Sequence, residues 1–70
     1  MIIQLQFPLS QSIHYQDVRT FTVSVELFLK GIHTTQPDYN RLEFDSDRDF
    51  TRALALLWQY EREFQVRVLA

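Results

Sequence analysis

The chain has no cysteine. That removes disulfides, thiolate nucleophiles and cysteine-ligated zinc together, and it suits a reducing compartment better than an oxidising one. Glycine occurs once, at Gly31, so neither a GxGxxG dinucleotide loop nor a P-loop can be written into it. Proline occurs only at Pro8 and Pro37, and lysine only at Lys30. Seven basic residues stand against nine acidic ones, a formal charge of −2. No surface of that composition is basic enough for the several phosphate contacts that nucleic acids require, so no nucleic-acid partner is expected. No segment approaches the roughly 20 apolar residues of a membrane span, and the first residues lack the basic and apolar regions of a leader. The expected location is cytoplasmic, with no membrane partner.

Apolar and aromatic residues, by contrast, are plentiful. Of 70 residues 46% are hydrophobic, and there are six Phe, three Tyr and one Trp. A chain this short forms one domain and buries only about 60% of its unfolded surface. Large aromatic side chains offset a thin core, or else leave apolar surface over for a partner.

Period-two alternation marks the expected strands. Ile3, Leu5 and Phe7 alternate with Gln4 and Gln6, and Pro8 ends the run. Leu9 to Asp17 is polar and reads as a loop, with Ile13 and Tyr15 able to extend the next strand. From Val18 to Lys30 the alternation is at its clearest: Phe21, Val23, Val25, Leu27 and Leu29 against Thr20, Thr22, Ser24 and Glu26. Phe28 is the exception, an apolar residue on the polar face. After a turn from Gly31 to Pro37, a third strand is expected around Asn40 to Asp45, a helix from Asp47 to Arg62, and a last strand from Phe64 to Leu69. The expected fold is α+β, a single mostly antiparallel four-stranded sheet with one helix packed on one face, in the order β-β-β-α-β. The last strand is expected beside the first and parallel to it.

The segment FDSDRDF, with Asp45, Asp47 and Asp49 at alternate positions, is the nearest thing to a cation motif. An EF-hand loop counted from Asp45 would need Gly at its sixth position and Glu at its twelfth; Phe50 and Leu56 stand there. A helix start accounts for the same residues without a metal. Ser46 is a favoured N-cap, and Asp47 and Asp49 suit the positive end of the helix dipole. No metal or other cofactor is expected. Together with Glu43, the aspartates form a candidate docking surface for a basic partner, unless Arg41, Arg48 and Arg52 neutralise them locally.

At 100° per residue, the helix places Phe50, Ala53, Leu54, Leu57, Leu56, Trp58 and Tyr60 over an apolar arc of about 200°, where covering one sheet face takes little more than 100°. Trp58 lies on one flank, Leu56 and Tyr60 on the other. Either the sheet curls round to bury these flanks, or they anchor a partner, as Trp and Tyr often do. Phe28 would add to that surface.

Ser12, His14 and Asp17 are the residue types of a hydrolase triad, but no glycine-rich turn accompanies them to build an oxyanion hole. His33 sits in a turn. No enzymatic constellation emerges. The segment DRDFTRALALLWQYEREFQVRV is similar to the tail of small phage-encoded inhibitors of bacterial RNA polymerase and to the end of a PB1 domain. Each likeness covers a third of the chain, and a PB1 domain has a further helix that the expected elements lack, so neither identifies a family.

The expected function is a non-enzymatic protein–protein interaction module: a regulator, adaptor or inhibitor of the kind that phages and mobile elements encode. Its partner would be held by Leu56, Trp58, Tyr60 and Phe28, by Glu43, Asp45, Asp47 and Asp49, or by strand addition at a sheet edge. The alternative is a homodimer formed by the same apolar surface, and after it a small enzyme or ligand-binding domain.

Overall fold

The structure, a computed structural model, describes all 70 residues. Its elements are β1 (Ile2–Gln6), α1 (Ile13–Leu29), β2 (Thr35–Asp38), β3 (Arg41–Glu43), α2 (Asp47–Leu57) and β4 (Gln65–Val68), with one 3₁₀ turn, Trp58–Tyr60, after α2. The α+β class and the four-stranded antiparallel sheet are as expected from the sequence. The element order differs: it is β-α-β-β-α-β, with two helices rather than one.

The difference lies in Val18–Lys30, which is helix and not strand. Along a helix, residues two apart are separated by about 200°. An alternating apolar pattern therefore lands on opposite faces by turns. Val23 and Leu27, with Thr20, face the core and are buried. Phe21, Val25 and Leu29, with Val18 and Phe28, face outward. Both ends of α1 carry stop signals. At the start, Ser12 Oγ accepts from the Tyr15 N–H at 3.1 Å, so the expected loop from Leu9 to Asp17 already contains the cap and first turn. At the end, Gly31 adopts φ +79°, Gly31 N–H bonds to Phe28 C=O and Ile32 N–H to Leu27 C=O. That is a Schellman motif, completed by the buried side chains of Ile32 and Leu27.

The sheet order is β2-β3-β1-β4 and every neighbouring pair is antiparallel. Each helix carries the chain past one strand, the split β-α-β (ferredoxin-like) connectivity. β4 does pair with β1, in the register Leu5↔Val66, but runs antiparallel to it rather than parallel. The segment Thr35–Asp38, expected as a turn, is the edge strand β2.

Both helices cover one face of the sheet. Val23 and Leu27 of α1 and Ala53 and Leu57 of α2 share a core with Ile3, Leu5, Leu42 and Phe44. The other sheet face is open and polar, built from Gln4, Gln6, Arg41, Glu43, Gln65 and Arg67 with Ile2. In register, Gln4 lies between Arg41 and Arg67. The strand positions on this face carry no aromatic side chain, and Tyr39, in the β2–β3 turn, lines a hollow with Gln4 and Gln6 at its end. Phe28, expected on the exposed sheet face, is instead on the outer side of α1.

Candidate functional site

The end of α2 and the edge strand β4 build one site between them. Ser46 caps α2 as expected, its Oγ accepting from the Asp49 N–H at 3.2 Å. The cap fixes the helix phase, sending Ala53 and Leu57 into the core. α2 stops at Leu57, short of the expected Arg62, and the chain tightens into the 3₁₀ turn. Trp58, the first residue of that turn, is 68% exposed. It walls a groove of about 430 Å³ together with Leu54, Leu57, Phe64 and Val66, with Glu61 and Gln65 completing the lining.

β4 forms the groove's other wall and is an outer strand of the sheet. Leu69 donates its N–H to Ile2 C=O at 2.9 Å. Antiparallel ladders alternate, so Gln65, Arg67 and Leu69 bond to β1, while the N–H and C=O groups of Val66 and Val68 face the free edge. The Val66 and Val68 side chains, opposite the buried Leu5 and Ile3, point to the helix-covered side, where the groove lies. The opposite edge is guarded. β2 carries Pro37, which has no N–H to offer, and its pairing with β3 is irregular between Thr35 and Asp38.

The other flank of α2 is packed down. Leu56 is half-buried against the core. Tyr60 stacks on Phe64, ring centroids 5.4 Å apart, with the Arg19 guanidinium 5.5 Å above its ring. Arg19 reaches that position through a bidentate pair with Glu63, at 2.6 and 3.0 Å, which ties α1 to the loop before β4. Hydrogen bonding to Glu63 raises the arginine's pKa above its ordinary value, outweighing the effect of burial. A raised value stabilises the fold at every pH below the usual arginine range and is lost only above it, so this cation does not titrate near neutrality. Of the three α2 flank residues, Trp58 alone is free.

The acidic residues do not converge on Trp58. Asp47 and Asp49 begin α2 and Trp58 comes just after its end, a helix length of roughly 16 Å away. Asp45 and Asp47 are exposed, and Glu43 lies on the open sheet face. Asp49 accepts the His33 backbone N–H at 3.1 Å. Local neutralisation by arginine does not occur: the ion pairs are Arg19 with Glu63 and Glu26, and Arg52 donates to Lys30 C=O instead. No three His, Asp or Glu side chains are grouped to hold a metal ion. Ser12 serves as a cap, and Asp17 accepts from the Gln36 side-chain amide at 2.8 Å; His14 stands exposed beside them.

Compared with protein-family models, with curated proteins and with solved structures, the chain gives no match. The connectivity alone carries no function, since folds of this kind host many.

Sequence reasoning anticipates the last strand beside the first and strand addition at a sheet edge, but does not single out the free groups of Val66 and Val68, and it misses one surface altogether. The outer face of α1 is hidden when that segment is taken as a strand. The length of the alternating run, well beyond the five or six residues usual for a strand, is the signal that could have found it.

Proposed function

We propose that this chain is a non-enzymatic protein–protein interaction module that takes an extended segment of a partner along the free edge of β4. In this reading it regulates, adapts or inhibits that partner, in the cytoplasm. The observation that carries it is the asymmetry of the two sheet edges: one is blunted by Pro37, while the other lies open beside a groove walled by an exposed tryptophan. An added strand would bond to the free groups of Val66 and Val68 and drop alternate side chains between Trp58 and Val66, the usual logic of strand addition. Backbone bonds supply affinity and the groove selects apolar side chains. The cytoplasmic assignment rests on a composition without cysteine, which suits a reducing compartment.

Selection of displayed random peptides against the immobilised protein tests this. The expected outcome is enrichment of extended sequences with apolar residues at alternate positions, whose binding falls at least about tenfold in Trp58→Ala. Val68→Pro, which removes an edge donor at an exposed position, is expected to weaken the same peptides. Enrichment of nothing, or of peptides indifferent to both substitutions, would overturn the reading.

A further inference from the structure

The outer face of α1 is a second apolar surface, separate from the β4 groove. Val18, Phe21, Val25 and Phe28 succeed one another at spacings of three, four and three, the a/d repeat of helices that pair with helices. Their exposures are 51%, 59%, 39% and 67%, and Leu29 beside them is 77% exposed. We propose that two copies of this chain associate through this stripe, α1 against α1 in antiparallel orientation, with the two sheets on the outside.

Three observations select a second copy as the occupant. The first is area. The stripe offers roughly 500 Å² of apolar surface per copy, near the upper end of what monomers leave open, and two stripes reach the roughly 1,000 Å² at which specific interfaces begin. The second is the border. Thr22 and Ser24 flank the stripe, and their hydroxyls already donate within the helix, Thr22 Oγ1 to Val18 C=O at 2.9 Å and Ser24 Oγ to Phe21 C=O at 2.6 Å. Covering them strands no unpaired donor. A helix lying on a membrane would carry lysines and arginines along those borders instead. The third is charge. Asp17 lies toward the start of α1 and Lys30 caps its end. Antiparallel pairing brings opposite helix-dipole ends together and keeps the two Asp17 carboxylates apart, whereas parallel pairing would set Asp17 against Asp17. Lys30 itself lies beside Arg52 and Leu56 of α2, away from the stripe.

Pairing centred between Phe21 and Val25 places Val18 of each copy beside Phe28 of the other. Sedimentation equilibrium of the full chain over roughly 1–200 µM is expected to show a monomer–dimer equilibrium within that range, as interfaces of this size give micromolar constants. Phe21→Lys and Val25→Lys, at outward positions, are expected to keep the native circular dichroism and to weaken association at least tenfold. Trp58→Ala should leave it unchanged. Because the chain has no cysteine, Val18→Cys mixed with Phe28→Cys should cross-link on oxidation, while Phe28→Cys alone should not. A wild type that stays monomeric throughout, or a Phe21→Lys variant that dimerises as tightly as wild type, would overturn the proposal. Cross-linking of Phe28→Cys alone would overturn the antiparallel arrangement.

Discussion

At the level of single residues, the fold rests on a few positions where one substitution has a definite sign. Gly31 is the sharpest. A Cβ there would meet nothing within 4 Å, so the cost of Gly31→Ala is conformational: the left-handed φ of +79° disfavours a side chain. We expect a loss of about 1 kcal/mol, read as a lower urea midpoint with an unchanged slope. Thr20 has the opposite sign. It is fully buried and its Oγ1 has no hydrogen-bond partner. Thr20→Val exchanges that hydroxyl for a methyl of similar size and is expected to stabilise by about 1 kcal/mol. Gly31 and Ser46 are legible as punctuation in the amino-acid sequence, because turn and cap chemistry is local. Thr20 is not. Its burial depends on which face of a helix it occupies, and a strand reading puts it on the solvent side.

At the level of elements, β1, β3, α2 and β4 stand near where the sequence places them, since each is short and has a single apolar face. α1 does not, because it has two. Leu27, Phe21 and Val25 separate the helix from the strand in one experiment. Leu27 is 2% exposed in the core, and Leu27→Ala is expected to cost roughly 2–4 kcal/mol. Phe21→Ala and Val25→Ala, outward in the helix but on Leu27's face in a strand, are expected to cost under about 0.5 kcal/mol each at concentrations where the chain is monomeric. Equal large losses at all three positions would restore the strand. Of the site residues, Trp58 is legible because the apolar arc of α2 is wider than one sheet face needs. Tyr60 and Leu56 share that arc and are packed, Tyr60 through Phe64 and Arg19. Arg19 is far away in sequence, so no local pattern announces it.

At the level of the whole molecule, one misassigned element changes the direction of the rest. Inserting α1 between the first two strands makes β1 and β2 run the same way, which turns β4 antiparallel to β1. The pairing of first strand with last can be anticipated, while its direction cannot. The same topology decides which edges are open. β2 closes one side with Pro37, the helices cover one face, and the other face is polar. The α1 stripe and the groove beside β4 remain uncovered and apolar, and a domain of this size leaves both exposed at a cost unless something covers them. The groove is the centre of the functional reading. It is tested most directly by titrating the full chain with a selected apolar peptide and monitoring backbone amide and indole resonances. The account predicts shifts concentrated at Leu54, Trp58, Val66 and Val68, with new protection of the Val66 and Val68 amides from exchange. Shifts confined to the outer face of α1, or free exchange of those two amides in the saturated complex, would contradict it.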